Sequence, residues 1–262
     1  MDLSKITPLI ITWNEDPNID RCLSRLKWAS RILIIDSGST DETLNVCSKY
    51  PQVQIIHRSF DSFAEQCNFG LQQISTEWVL SMDADYLLPA SFSDVLAALP
   101  STPFGYSARF RYCIFGRPLR ASLYPARTVL YPKTAAQYQN VGHGHRVAVQ
   151  GPVGDLPGRI DHDDRKPLGR WLDSQRKYAR QEAQHLAIAD SRTLPFADRV
   201  RRKIWPAVPA VFLYVLIWKR CLLDGWAGWF YVLQRTYAEL LLSMELVDLK
   251  LRDTDERQNG TT

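Results

Sequence analysis

Short apolar runs alternate with amphipathic segments over the first hundred residues. The apolar runs cover residues 6–13, 31–36, 53–57 and 78–82, and they have the length and β-prone composition of buried strands. The segments 19–26 and 63–74, which lie between them, place apolar residues at the spacing of one helix face. Repeated strand–helix–strand units with short loops predict an α/β fold, in which a parallel sheet is covered by helices on both faces.

Two of the predicted helices carry start signals. Asp16 precedes Pro17 at the beginning of the first apolar helical stripe, so Asp16 is expected to cap that helix. Ser39 and Glu42 have the spacing of a capping box and predict the start of the next helix.

The pattern changes after residue 104. Tyr, Phe, Arg and Val alternate up to about residue 153 between turn signals, which predicts an extension of antiparallel hairpins. After Pro167 the chain becomes helical, notably over 171–189. We therefore expect a main domain at 1–166 and a helical region at 167–262, with a polar tail from Arg252 that is expected to fray.

Residues 204–218 are almost entirely apolar and lie between basic residues. No acidic residue occurs between Arg199 and Leu223. Fifteen residues fall short of the roughly 20 that span a bilayer. Tryptophans lie at or near the ends of the segment, at Trp205, Trp218, Trp226 and Trp229. This pattern predicts a segment lying in a membrane surface, and the alternative is a buried helix pair that covers the sheet.

The bulk composition indicates a folded intracellular protein. Hydrophobic residues make up 45% of the 262 residues, and the net charge of +4 is too small to indicate a nucleic-acid partner. The five cysteines are scattered without a Cys-x-x-Cys pair, which fits buried thiols in a reducing compartment better than zinc or disulfides. The N-terminal segment has no basic stretch followed by an apolar core, so no signal peptide and a cytoplasmic location are expected.

Asp83 and Asp85 follow the fourth predicted strand and are the strongest candidates for chemistry. On a continuing strand, residues two apart share a face, so both carboxylates can reach one ligand. Two hard oxygen ligands at the end of a strand suit Mg²⁺ or Mn²⁺ bridging a diphosphate. Asp-x-Asp is also common in turns, where it only caps the next element.

Asp36 ends the second predicted strand, within Asp36-Ser-Gly-Ser-Thr-Asp41. A carboxylate there can accept hydrogen bonds from a base or ribose, and the following helix N-terminus favours anions. Alone it fits an ordinary capped loop. With Asp83 and Asp85 at the same edge of the sheet, it predicts a nucleotide-binding crevice.

With these motifs the sequence resembles the family 2 glycosyltransferases, enzymes with the nucleotide-sugar-binding GT-A fold. The resemblance covers about residues 6–115. Its motifs are Thr12-Trp-Asn-Glu15, Asp36-Ser-Gly-Ser-Thr-Asp41, Phe63-Ala-Glu-Gln-Cys-Asn68 and Trp78-Val-Leu-Ser-Met-Asp-Ala-Asp85. It implies a metal-dependent, inverting transfer of a sugar, expected to be a hexose, from a nucleotide diphosphate.

The resemblance also implies roles for individual residues. The nucleotide sugar is expected to contact Thr12, Asn14, Glu15, Asp36, Gln66 and Asp83. The Mn²⁺ or Mg²⁺ ion is expected on Asp83 and Asp85, with His162 completing its shell. One departure is Tyr86, because relatives often carry an acid directly after the Asp-x-Asp.

Within the family, the chain is most similar to bacterial enzymes that build lipopolysaccharide core or exopolysaccharide. The grounds are Gly142-His-Gly-His-Arg146, His162-Asp-Asp-Arg165 and the basic, apolar C-terminal region. This similarity implies a glycan or lipid-linked acceptor, at the cytoplasmic face of the inner membrane.

The base that takes the acceptor proton is expected in the His- and Asp-rich segments after residue 140. Asp163 and Asp164 are the first candidates and His145 is the next, although all three also fit solvated loop or capping residues. The phosphates of the donor or acceptor are expected to be held by Arg165, Lys166, Gln175 and Arg176.

Two other classes of function stay open from the sequence. A sugar nucleotidyltransferase has a similar sheet and metal carboxylates, but it normally carries a Gly-rich, basic loop where Thr12-Trp-Asn-Glu15 stands here. A catalytically inactive membrane adaptor keeps the same fold.

Overall fold

The computed structural model describes residues 1–100, 104–141 and 144–259. The chain forms two compact units. The α/β unit consists of Met1–Pro118 and Tyr124–Lys166, and the helical unit consists of Leu119–Leu123 and the chain from Pro167 onward.

In its described residues, the α/β unit contains a central sheet, two smaller sheets and four α-helices. Its strands are β1 (Ile6–Thr12), β2 (Ile32–Asp36), β3 (Val53–His57), β4 (Trp78–Asp83), β5 (Tyr86–Leu87), β6 (Gly105–Ala108), β7 (Phe110–Ile114), β8 (Arg117–Pro118), β9 (Arg127–Pro132), β10 (Ala136–Val141), β11 (Gly144–Val149), β12 (Val153–Asp155) and β13 (Ile160–His162). Its helices are α1 (Ile19–Ser24), α2 (Thr43–Cys47), α3 (Phe63–Gln73) and α4 (Phe92–Ala98).

The central sheet has seven strands in the order β12-β6-β9-β4-β1-β2-β3. The four strands predicted from the apolar runs lie next to one another and are parallel, which confirms the predicted parallel sheet. The later strands add antiparallel hairpins at β10–β11 and β7–β8. Two further pairings, β12 with β6 and β13 with β7, are parallel because these strands return from a distance along the chain.

Apolar side chains pack on both faces of this sheet. On one face Ile10 of β1 packs with Leu23 of α1 and Leu96 of α4. On the other face Leu9, the neighbour of Ile10, packs with Leu71 of α3. The alternation along β1 therefore fills two cores, and helices cover both faces as predicted.

The predicted helix starts are wrong in two places. Asn18, and not Asp16, is the residue before the first turn of α1. The Ser39–Glu42 capping box does not form: α2 begins only at Thr43, and the Ser39 hydroxyl accepts from the Asn14 N–H at 2.8 Å. The Asp41 carboxylate accepts from the Thr43 N–H at 3.0 Å in its place.

The helical unit has its own core. Its helices are α5 (Leu168–Ile188), α6 (Phe196–Arg202), α7 (Ala207–Leu213) and α8 (Gly225–Asn259). A π-helical turn at Tyr214–Trp218 continues α7. Ala183 and Leu186 of α5 pack against Leu242 and Leu246 of α8. In the described part of the chain, no helix is both long and apolar enough to cross a membrane.

The expectation that the tail frays from Arg252 is wrong up to Asn259. Helix α8 runs through this segment for 35 residues in all. Arg252 pairs with Asp248 one turn earlier at 2.8 Å, and such pairs support an exposed helix.

Candidate active site

The carboxyl ends of β1, β2 and β4 bring three predicted site residues to one edge of the sheet. Thr12 ends β1 and pairs in register with Asp36, which ends β2. On the other side of β1, Ile11 pairs with Asp83, which ends β4. Because ligands of open α/β sheets bind beyond the carboxyl ends of strands, this edge is the candidate active site.

Asp36 is held by the loop that follows it. Its buried carboxylate accepts hydrogen bonds from the N–H groups of Gly38 and Ser39 at 2.9 and 3.0 Å. The Thr12 hydroxyl donates to the same carboxylate at 3.2 Å. Burial by itself raises the pKa of Asp36, but the bonds from Ser39 and Gly38 outweigh burial and leave the pKa lowered. Asp36 is therefore a fixed anion at the strand end.

Asn14 and Gln66 brace this loop from two sides. Asn14 has a left-handed backbone with φ 56°, and its Oδ1 accepts from the Thr40 N–H at 2.7 Å. Gln66 donates from Nε2 to the Ser37 hydroxyl at 2.8 Å and to the Arg58 carbonyl at 2.9 Å. Both side chains position the loop after β2, and their contacts with a nucleotide stay predictions.

Glu15 belongs to a polar cluster that ties the loop after β1 to the segment after β13. Its carboxylate lies 2.8 Å from Lys166 Nζ and accepts from Asn18 Nδ2 at 3.0 Å. The same Asn18 amide donates to Asp164 at 2.8 Å. Burial raises the pKa of Glu15 to about 7, even with the Lys166 ammonium beside it.

Asp83 and Asp85 lie in different surroundings. Asp83 is half-exposed, and its carboxylate is 3.8 Å from Arg127. Asp85 is buried, with Oδ2 3.3 Å from Nε2 of His162. Burial by itself raises the pKa of Asp85, but His162 and Lys166 outweigh it and lower the pKa to about 2. Asp85 is therefore a carboxylate anion at neutral pH.

Aromatic rings surround His162. The imidazole stacks on Tyr124 with 4.4 Å between ring centroids, and Tyr112 lies 4.7 Å away. The Tyr124 hydroxyl is hydrogen-bonded to that of Tyr86 at 2.5 Å. Burial lowers the pKa of His162, but the Asp85 carboxylate outweighs it and leaves the pKa raised. Tyr86, where relatives often carry an acid, thus helps to form the wall behind the Asp85–His162 pair.

Asp163 is fully engaged by neighbouring donors. Its Oδ2 accepts from Arg21 at 2.8 Å and from Arg165 at 2.8 and 3.0 Å. Its Oδ1 accepts from the Gly116 N–H at 3.0 Å. Although burial opposes ionisation, these bonds lower the pKa of Asp163. Such a carboxylate is a weak proton acceptor, whereas its neighbour Asp164 keeps 26% of its side chain exposed.

The carboxylates at the strand ends meet part of the needs of a divalent cation. Within residues 1–100, 104–141 and 144–259, no three side chains of His, Cys, Asp or Glu form a ready metal-binding group. Asp85 Oδ1 is buried, and no group in the described chain donates a hydrogen bond to it. An unsatisfied buried carboxylate oxygen beside the half-exposed Asp83 fits a hard cation. The predicted ligand His162 instead directs Nε2 to Asp85.

The structure does not test the roles of three other predicted residues. The side chain of His145 lies outside the described residues. Gln175 and Arg176 lie in α5 of the helical unit, where Arg176 pairs with Asp173 at 4.0 Å. Their predicted roles stay predictions.

The sequence reasoning missed several residues of the site. They are Asn18, Arg21, Tyr112 and Tyr124. Lys166, which was expected to hold a phosphate, pairs with Glu15 instead. The alternation of aromatic and basic residues after residue 104 indicated the region that contains the tyrosines. It did not indicate which rings contact His162. Asn18 carries no signal in the sequence, since only the fold brings Asp164 to it.

Comparison with known proteins identifies the family of the chain. The family model described as "Glycosyl transferase family 2" matches residues 8–151. The "Lipopolysaccharide core biosynthesis glycosyltransferase LpsC" of Rhizobium meliloti (strain 1021) is 30% identical over 98 residues, 36% of this chain and 36% of that protein. The "SPbeta prophage-derived glycosyltransferase SunS" of Bacillus subtilis (strain 168) is 33% identical over 89 residues, 33% of this chain and 21% of that protein. The chain thus matches about a third or less of these relatives' length.

Solved structures share the fold over almost the whole chain. The mannosyltransferase PcManGT from Pyrobaculum calidifontis, in complex with GDP-Man and Mn²⁺, has a TM-score of 0.53 at 15% identity, covering 95% of this chain and 87% of that one. S. aureus TarS with UDP-GlcNAc has a TM-score of 0.50 at 14% identity, covering 95% and 92%. These likenesses confirm the GT-A fold.

Proposed function

The chain belongs to glycosyl transferase family 2, and on that premise we propose that it transfers a sugar from a nucleotide-diphosphate donor to a glycan or lipid-linked acceptor. The observation that carries the proposal is the meeting of Asp36, Asp83 and Asp85 at the carboxyl ends of neighbouring strands. Asp36 is a fixed anion suited to the N–H and hydroxyl groups of a base or ribose. Asp83 and Asp85 suit the diphosphate end through a cation.

We assign the divalent cation to Asp83 and Asp85. The support is the buried, unsatisfied Oδ1 of Asp85 and the lowered pKa that keeps this carboxylate charged. When bound, Mn²⁺ or Mg²⁺ neutralises the charge that develops on the departing diphosphate. His162 serves Asp85 as a hydrogen-bonded positioning partner, in place of the ligand role expected from the sequence.

We assign the base to Asp164 in preference to Asp163. Asp164 is partly exposed, so an acceptor hydroxyl can reach it, and its position is fixed by Asn18 Nδ2 at 2.8 Å. Removing the hydroxyl proton lets the oxygen attack the anomeric carbon opposite the departing diphosphate. Attack from that side inverts the configuration of the carbon.

The finer substrate assignment is also a proposal. Similarity to the LpsC glycosyltransferase supports synthesis of lipopolysaccharide. The transfer of a hexose, and the alternative of another bacterial surface polysaccharide, rest on the family resemblance of the sequence motifs alone. The proposed place of the reaction is the cytoplasmic face of the inner membrane. Arg165 donates hydrogen bonds to Asp163. Its predicted contact with a phosphate therefore requires the guanidinium to donate to both groups.

Donor binding tests the proposal directly. The full chain is heated with Mn²⁺ and a panel of nucleotide sugars, and one class of donor is expected to raise the melting temperature and to be slowly hydrolysed. Asp85→Ala and addition of a chelator should each remove this response, whereas Asp173→Ala, at an exposed helix position, should keep it. Stabilisation by no donor, in a protein that melts cooperatively, would favour the inactive adaptor.

A further inference from the structure

The outer face of α7 and its π-helical turn is wholly apolar. Its exposed residues follow the spacing of one helix face. They are Pro206, Pro209, Ala210, Leu213, Tyr214, Ile217 and Trp218. The opposite face buries Ala207, Val215 and Leu216 within the helical unit. A helix on a water-exposed surface normally carries polar residues on its outer side, so this arrangement requires another explanation.

Further large apolar side chains are exposed on the elements next to α7 in the chain. Trp205 precedes α7, Leu222 and Leu223 follow it, and Trp226 and Trp229 begin α8. Trp205 and Trp218 have 83% and 77% of their surface exposed. We call the α7 face together with these five residues the apolar surface. Contiguous apolar patches of this kind mark interaction sites.

Positive charge borders the apolar surface. Lys203 lies before α7, and Lys219 and Arg220 lie after it. Lys219 Nζ is 5.5 Å from the centre of the Tyr214 ring. The nearby acid, Asp224, is buried and paired with Arg120 at 3.0 Å, so it does not offset these cations at the surface.

We propose that the apolar surface docks in the headgroup region of an anionic lipid bilayer, with α7 parallel to the membrane plane. The seven residues of α7 and the five of its π-helical turn extend about 18 Å, against roughly 30 Å for the hydrocarbon core. The segment is therefore suited to lie in the interface. Tryptophans suit the headgroup level, and lysines and arginines suit anionic lipids.

Charge favours the bilayer over a second copy of the chain. A symmetric contact between two copies of this surface would bring together Lys203, Lys219 and Arg220 from both, with no exposed acid in residues 200–223 to pair with them. An anionic lipid surface supplies the missing negative charge. The inference does not depend on the proposed glycosyl transfer.

Partition to vesicles tests the docking surface. The full chain is mixed with vesicles of phosphatidylglycerol and phosphatidylcholine, without donor sugar, and the bound fraction is measured by sedimentation. Ile217→Glu should lower the partition coefficient about tenfold or more, because it puts a charge where an apolar side chain inserts. The matched control is Leu251→Glu on α8, since the exposure of Leu251 is 63% and that of Ile217 is 62%. This control should stay within about twofold of the wild type.

A second pair of variants tests the charge and guards against misfolding. Lys203→Gln with Lys219→Gln should weaken binding about fivefold per removed cation, and only to anionic vesicles. Trp205→Gln changes the most exposed tryptophan and should also weaken binding at an unchanged melting temperature. The proposal is overturned if the wild type does not bind anionic vesicles at low salt. It is equally overturned if the wild type is a dimer that Ile217→Glu makes monomeric.

Discussion

At the scale of single residues, Asp163 and Asp164 are neighbours in sequence with different surroundings. Asp163 is almost fully buried and accepts from Arg21, Arg165 and the Gly116 N–H. Asp164 is partly exposed and bonded to Asn18. From the sequence the two residues were equivalent candidates for the base. Their burial and their hydrogen-bond partners depend on distant parts of the chain.

Substitution by asparagine should separate these two roles. Asp163→Asn leaves two guanidinium groups without their counter-charge and should lower the free energy of unfolding by about 2 to 4 kcal/mol. Asp164→Asn should change it by less than about 1 kcal/mol while slowing sugar transfer about 10²- to 10⁴-fold. Urea unfolding and transfer assays measure the two effects. Retained transfer in Asp164→Asn would refute its assignment as base.

The lowered pKa of Asp85 predicts how the stability of the fold depends on pH. Its pKa falls from an ordinary 3.8 to about 2 in the folded protein, chiefly because His162 and Lys166 outweigh the effect of burial. A lowered pKa stabilises the fold above pH 3.8, and this stability is lost as the pH falls toward 2. The lost contribution is about 2 kcal/mol.

Asp85→Asn should therefore make the free energy of unfolding depend less on pH in the acid range. In metal-free urea unfolding between about pH 5 and about pH 2, the wild type should lose about 2 kcal/mol more than the variant. Asp173→Asn, at an exposed position, is the control and should follow the wild type. Parallel profiles for wild type and Asp85→Asn would show that the His162 pair does not hold the carboxylate charged.

At the scale of elements, the loop between β2 and α2 depends on a glycine. Gly38 has φ 91°, a conformation that favours glycine, and its N–H donates to Asp36. A side chain at this position would meet only His57, at 3.5 Å, so a substitution acts through the backbone.

Gly38→Ala should lower the free energy of unfolding by about 1 to 2 kcal/mol. It should also weaken donor binding, because the loop fixes Asp36. Gly169→Ala is the matched control: Gly169 lies in α5 with open space around it, and alanine there should be neutral or stabilising by up to about 1 kcal/mol. Equal effects of the two changes in urea unfolding would contradict the role of backbone strain.

The sequence predicted the strands well where the periodicity of apolar residues is strong. The four parallel strands follow from apolar runs, and β3 has the predicted bounds Val53–His57. The boundary of the two units at Lys166 and Pro167 lies where the pattern changes, although Leu119–Leu123 joins the helical unit. The start of α2 was predicted wrongly because the Ser39 hydroxyl accepts from the Asn14 N–H, which lies far from it in the sequence.

At the scale of the whole molecule, salt should distinguish the electrostatic contribution to membrane docking from the apolar contribution. Raising the salt from about 0.1 M to about 0.5 M screens the cations and should weaken vesicle binding several-fold. Apolar insertion is not screened, so a measurable fraction should stay bound. Complete loss at high salt would contradict insertion of the tryptophans, and an unchanged fraction would contradict the role of the lysines.

The sequence by itself determined the α/β architecture, the family and the strand-end carboxylates. These follow from local periodicity and from motifs such as Trp78-Val-Leu-Ser-Met-Asp-Ala-Asp85. Only the tertiary structure decided how the acids differ: Asp85 paired with His162, Asp163 locked by two arginines, and Asp164 left accessible. The physical reason is that charge state and reactivity depend on burial and on partners far apart in the chain, which no local pattern records.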